Sequence, residues 1–228
     1  MNLGVLFSGG KDSTLAMLRA MKEHKIVCLI TVVSENPESF MFHTPNIHIV
    51  RLQAEAMGLP LVSVQTKGEK EKELEDLKKV IAEAKAKHQI EGIVTGAVQS
   101  SYQADRIKKI CDELDIACIN PLWQMDQIRL LDEVLESGMQ VIISGVFAEP
   151  LEKELLGKQI DTEIIQKLAK AAETHKINPA GEGGEIETTV LDAPFFKKKI
   201  IVKKSSIEYK DFAGIYRIEQ AELLEKLL

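Results

Sequence analysis

Short apolar runs alternate with amphipathic stretches over the first two thirds of the chain. Residues 3–7 form a brief apolar run that reads as a buried strand, and residues 13–23 carry Leu15, Leu18 and Met21 at helical spacing. Residues 26–33 are β-branched and apolar, broken only by Thr31, and predict a second strand. Asn46 is placed to cap a helix running to Met57, closed by Gly58 and Pro60. Residues 61–64 read as a third strand. Residues 70–88 then predict a long Lys/Glu-rich helix with Leu74, Leu77, Ile81 and Ala84 as its buried stripe. Residues 92–95 and 117–119 are further strands around a helix marked by Ile107, Ile110, Cys111 and Leu114. Asp126 is placed to cap a helix through Ile128, Leu131, Val134 and Leu135, ended by Gly138, and residues 139–144 give another strand.

This rhythm predicts an α/β fold, a doubly wound parallel sheet whose ligand sits at the carboxyl ends of its strands. Beyond about Val146 the rhythm changes. A helix is expected over 161–173, then a glycine-rich turn, strands over 186–191 and 199–203, and a terminal helix over 219–228. The expected division is therefore 1–146, a nucleotide-binding α/β region, and 147–228, a smaller α+β region.

Composition narrows the function. The 35 acidic residues outnumber the 29 basic ones, for a formal charge of −6, which argues against a dedicated nucleic-acid binder. No run approaches the ~20 apolar residues of a membrane span, and the start of the chain lacks a signal-peptide layout, so the cytoplasm is the expected compartment. The three cysteines, Cys28, Cys111 and Cys118, form no CxxC pair and read as small buried hydrophobes. The five histidines show no zinc spacing.

The strongest chemical signal is Ser8-Gly9-Gly10-Lys11-Asp12-Ser13, placed directly after the first strand and opening the first helix. Two glycines let the backbone turn sharply and approach an anion without Cβ interference. The helix N-terminus offers N–H groups and the positive end of the dipole, to which Ser8, Ser13 and Lys11 add hydroxyls and a full charge. The spacing is neither a Walker A loop nor GxGxxG. It resembles the PP-loop, SGGxDS, of the ATP pyrophosphatases that cleave ATP between the α- and β-phosphates. That resemblance implies ATP binding by Ser8, Gly9, Gly10, Lys11, Asp12 and Ser13. It also implies Lys11 and Asp12 as catalytic residues, Mg2+ with Asp12 as its holder or as shaper of the loop, and Gly96 as a close approach to the nucleotide. A plain turn glycine explains Gly96 equally well.

A second motif is Gly181-Glu182-Gly183-Gly184-Glu185-Ile186-Glu187-Thr188. Three carboxylates on one glycine-kinked turn repel unless they meet cations or solvent. Either a shaped site or an acidic surface turn satisfies that requirement.

Together with the segments 39–44, Gly96 through Tyr102 and Gln103 to Arg106, and Pro121-Leu122-Trp123, these motifs resemble the diphthine–ammonia ligase family over essentially the whole chain. Phe40 stands where many of that family carry Tyr. The resemblance implies ATP-dependent amidation of diphthine on translation elongation factor 2 with ammonia, through an acyl adenylate, giving AMP and pyrophosphate. It implies Glu185 as a catalytic residue. Tyr102, Gln103, Arg106, Glu182, Gly183, Gly184, Glu187 and Thr188 would contact substrate. A trimethylammonium group calls for aromatic faces and carboxylates, and Phe40, Phe42, Tyr102, Trp123, Phe195 and Phe196 fall in or beside these segments. By spacing alone, Arg106 suits an anion or a surface ion pair equally. Another PP-loop ligase acting on a small carboxylate, or a module that binds ATP or AMP without turnover, stays open. The oligomeric state, including a homo-oligomer, is open as well.

Overall fold

The computed structural model describes residues 1–35, 45–68 and 72–226. Five strands, β1 (Asn2–Leu6), β2 (Lys25–Ser34), β3 (Leu61–Thr66), β4 (Gly92–Val94) and β5 (Ala117–Ile119), form a parallel sheet in the order β3-β2-β1-β4-β5. The chain winds outward from β1 in both directions, so the switch in strand order falls between β1 and β4.

Alternate side chains of these strands enter two cores, as a sheet buried on both faces requires. Leu3, Val5 and Leu29 pack toward α1 (Lys11–Ala20) and α2 (Val50–Met57). Cys28, Ile30, Val32 and Ile93 pack against α3 (Lys72–His88) and α4 (Ser101–Glu113). In α3 the stripe is Leu77, Val80, Ile81 and Ala84 (all buried), with Leu74 half-buried. On its outer face Lys79 pairs with Asp76 and Lys87 with Glu83, and Lys78 reaches Glu113 of α4.

The second sheet is antiparallel, in the order β7-β6-β9-β8, built from β6 (Gln140–Val146), β7 (Ile186–Asp192), β8 (Lys198–Lys210) and β9 (Ala213–Glu225). Helices α5 (Gln127–Glu136) and α6 (Thr162–His175) pack against each other beside it. Asp126 and Asp161 cap them, accepting from Arg129 N and Ile164 N.

Three expectations are corrected here. The run over 139–144 is a strand, but it belongs to the second sheet. It is buried on both faces, a pattern that a central strand of either sheet would show. The two sheets therefore part between β5 and β6, and the division expected after residue 146 cuts the second one. The terminal helix expected over 219–228 is instead the strand β9. Its Glu, Ala and Leu favour a helix in isolation, but twelve residue pairs to β8 override that preference. Cross-strand ion pairs Lys203–Glu222 and Lys204–Glu219, and a tight turn with Asp211 and Phe212 both at positive φ, accompany the pairing. Asn46 caps no helix by its side chain. It stands at φ 62°, donates to Tyr216 O and accepts from Ile218 N, fastening the start of α2 to β9.

Candidate active site

The loop between β1 and α1 opens at the switch point. Gly9 has φ +81°, and a Cβ there would come within 2.4 Å of Gln53 Oε1. Gly10 precedes α1 with no side-chain cap, and its own face touches Thr188 of β7. Across the switch point, the chain leaving β4 lies so close to α1 that a Cβ on Gly96 would stand 2.7 Å from Ser13 N and 2.9 Å from the Asp12 carbonyl carbon. Gly96 thus allows two backbones to meet at the phosphate loop.

A cavity of about 660 Å³ opens there, with three chemically distinct walls. One is apolar: Ile30 and Val32 at the end of β2, with Leu77 and Ile107. The second is the loop itself, with Ser8, Gly10, Lys11, Asp12, Ser13 and Gly96. The third is the glycine-rich turn, with Glu182, Gly183, Gly184, Glu187 and Thr188. The acidic turn therefore shares the cavity of the phosphate loop and is not a remote surface feature.

Two contacts of Lys11 join the second and third walls. Its backbone N–H donates to Thr188 Oγ1 (3.1 Å), and its ammonium donates to Ala180 O and to Asp12 Oδ2 (2.9 Å). The side chain is almost fully buried. Its charge also faces the acidic turn, lowering the proton affinity of Glu182 and Glu187. Burial works in the opposite direction and prevails at both. Glu187 is pushed up to about 7 and Glu182 is raised, with Asp12 contributing at each. Glu182 is moderated by two backbone donors, Gln99 N and Ser100 N, at the entry to α4.

The three glutamates of the turn have different surroundings. Glu185 does not line the cavity. It accepts from Asn178 N, Asn178 Nδ2 and Gly183 N, and so closes its own loop. The geometry makes it a holder of the turn, which corrects its expected catalytic place. Glu187 carries the carboxylate that opens into the cavity from β7.

Among the expected contact residues on α4, Gln103 lines the cavity but Tyr102 and Arg106 do not. The Arg106 guanidinium lies 3.5 Å from the centroid of the Tyr102 ring and spends its charge there. Of the expected aromatics among the described residues, Tyr102, Trp123, Phe195 and Phe196 do not line the cavity. Phe195 and Phe196 meet edge-on, with Phe196 buried and Phe195 lining a separate groove beside Met17 and Met57. Trp123 is exposed away from the cavity. Phe40 and Phe42, with the rest of 39–44, lie outside the described residues. Among the described residues the aromatics of the cavity lining are Phe7, just after β1, and Phe147, just after β6, neither of which a sequence motif marked for this role. Gln127 was also missed. It supports the turn by accepting from Ala180 N and donating to Asn178 Oδ1.

An open-sheet switch point with a glycine loop at a helix N-terminus, walled on its far side by a second, acidic region, defines an α/β protein whose cleft suits a phosphate-bearing ligand. Comparison with known proteins narrows the class. Residues 1–118 match the family model for the diphthamide synthase N-terminal domain, and residues 126–224 match that for the C-terminal domain. Diphthine–ammonia ligases from Bos taurus and Homo sapiens are each 37% identical over 91% of this chain and 85% of theirs. The ligase of Saccharomyces cerevisiae is 29% identical over 84% of this chain and 33% of its own length. The chain belongs to the diphthamide synthase, or diphthine–ammonia ligase, family. Among solved structures, a predicted tRNA methyltransferase subunit from Methanocaldococcus jannaschii aligns at 18% identity and TM-score 0.44, over 85% of this chain and 98% of that one. A 4-thiouridine synthetase with RNA and ATP aligns at 15% and 0.41, over 84% and 55%.

Proposed function

We propose that the protein uses ATP to convert the carboxylate of diphthine on translation elongation factor 2 into an amide, with ammonia as nitrogen source. The observation that carries this reading is the shared cavity. An adenylate made at the phosphate loop meets the acidic turn without leaving the site, as an intermediate that must be intercepted requires.

In this reading the apolar wall of Ile30, Val32, Leu77 and Ile107 takes the adenine, and the Ser8–Ser13 loop takes the β- and γ-phosphates. The diphthine carboxylate attacks the α-phosphorus, the bond to the bridging oxygen breaks, and pyrophosphate leaves against the loop. Ammonia then attacks the acyl carbon, and AMP departs with the oxygen. Ammonium is the abundant form at neutral pH, so a proton must be removed, and this step is assigned to the Glu187 carboxylate because it lines the cavity. Glu182 and the face of Phe147 are suited to the fixed cation of the substrate.

Magnesium fits this arrangement at one atom. Asp12 Oδ1 is buried with no hydrogen-bond partner, the kind of oxygen a cation satisfies. Among the described residues no group of three or more His, Cys, Asp or Glu could hold a metal, so the ATP phosphates would supply the remaining ligands. When bound there, magnesium would neutralise charge on the leaving pyrophosphate.

No helix among the described residues is long and apolar enough to cross a membrane. The test combines protein, ATP, magnesium, ammonium and diphthine-bearing elongation factor, followed by the mass of the factor and the nucleotide product. Amide formation with AMP supports the reading. An unchanged factor with ATP consumed to ADP overturns it.

A further inference from the structure

The reaction above leaves unused one polar side chain, on the inner face of α2. Gln53 is fully buried between neighbours of the apolar core, Val50, Ala54 and Met57. Its Nε2 donates to two carbonyls at once: Gly9 O of the phosphate loop (2.9 Å) and Val190 O of β7 (2.8 Å). Val190 N donates in turn to the same Gly9 O (2.9 Å). Those two carbonyls fix the orientation of the amide, because the reverse flip would set oxygen against oxygen.

Three elements therefore meet at one carbonyl. β7 is the strand that carries Glu187 and Thr188 into the cavity, and Gly9 is the bend of the phosphate loop. The junction also has a cost. Gln53 Oε1 is buried with no hydrogen-bond partner, and it sits where a Cβ on Gly9 would go. A buried orphan acceptor destabilises the fold, and an apolar side chain of the same length would avoid it. The residue is better accounted for by what its amide holds than by stability.

We infer that Gln53 is a positioning residue that locks the phosphate loop and the acidic strand in one register, so that the acyl adenylate forms within reach of the acceptor wall. The inference rests on the reading of the loop as the ATP site. Misplacement of reacting groups by about 1 Å costs on the order of 100-fold in rate, so even a small shift of Gly9 against Val190 would be felt.

Two full-length variants test it, both assayed for pyrophosphate release and amide formation across pH. Gln53→Met keeps length and burial but donates nothing. It should lower kcat roughly 10–100-fold at every pH, with a smaller change in the KM for the elongation factor. Gln53→Glu, when ionised, faces two carbonyl oxygens with another acceptor. When protonated it donates to one of them, so its activity relative to wild type should rise as pH falls. A Gln53→Met protein with wild-type kcat, or folded Gln53→Glu and Gln53→Met proteins whose ratios to wild type are equally flat with pH, would overturn the assignment.

If the variants fail to fold, hydrogen exchange on the wild-type protein decides. ATP should slow exchange at Val190 N–H together with the loop amides, and protection of the loop alone would overturn the coupling. Absence of any nucleotide protection would instead refute the ATP site, and so distinguishes the two failures.

Discussion

The carboxylate of Glu182 accepts a hydrogen bond from the backbone N–H of Ser100 at 2.7 Å, across 82 residues of sequence. Gln99 N donates to the same oxygen. Glu182 thus ties the acidic turn of the second region to the entry of α4 in the first, beside Gly96 and Gln103 of the cavity wall. Ser100 is itself the N-cap of α4, so the contact resembles the reciprocal half of a capping box supplied from outside the helix, with charge and dipole in the favourable sense.

Glu182→Ala should therefore loosen the turn more than it unfolds the protein. Loss of a capping acceptor costs about 1 kcal/mol, a shift of a few degrees in Tm. The KM for the elongation factor should rise several-fold, with the KM for ATP little changed. An unaltered KM for the factor would show that this tie does not shape the acceptor side.

Gly96→Ala is expected to act at the ATP site. The new methyl would stand 2.7 Å from Ser13 N, and the obstructing atoms are backbone, which cannot rotate aside. The chain after β4 or the first turn of α1 must move. We expect at least a tenfold rise in the KM for ATP with the protein still folded, read by steady-state kinetics and circular dichroism. Wild-type ATP kinetics would remove Gly96 from the nucleotide site.

Much of this arrangement is legible in the sequence, and its gaps have physical causes. The SGGKDS loop is readable because strand, glycine turn and helix are contiguous, and the glycine-rich turn because its composition is unusual. Nothing in local pattern reveals that Glu182 and Glu187 line the cavity while Glu185 does not. Glu185 and Glu187 differ by two residues, yet one closes a turn and the other has entered β7. Gln53 was invisible because its partners, Gly9 and Val190, are 44 and 137 residues away. The last strand is hidden by its helix-favouring composition because long-range pairing with β8 decides it more than propensity does.

Lys11→Ala should abolish AMP formation, and its neighbours say why. The ammonium is a donor to Ala180 O and Asp12, so removal leaves a buried carbonyl unpaired and three cavity carboxylates without their cation. A loss of roughly 3–4 kcal/mol in transition-state stabilisation is expected from deleting such a preorganised charge. Lys11→Arg keeps the charge but is too bulky for the buried path to Ala180, and should recover little. Single-turnover AMP release measured with either variant at the wild-type rate would show that Lys11 is not part of the machinery.

Glu187 gives the enzyme a pH signature. Burial holds its carboxyl at about 7, against an ordinary value of 4.5, so in the native protein it keeps its proton where the unfolded chain has lost it. Stability from this group is therefore complete below pH 4.5 and is lost as pH rises to about 7, by at most about 3 kcal/mol. The proposed mechanism needs the opposite state, because only the ionised carboxylate can take a proton from ammonium. At fixed total ammonium the wild-type amidation rate should rise with pH and bend near 7, where Glu187 becomes ionised. Glu187→Gln should be slower, should follow free ammonia without that bend, and should be the more stable protein above pH 7 but not below 4.5. Rate profiles and thermal melts across this range check both halves. A Glu187→Gln protein that retains the bend would assign it to another group, and one with no gain in stability would mean that the carboxylate is better solvated than its place in the cavity wall implies.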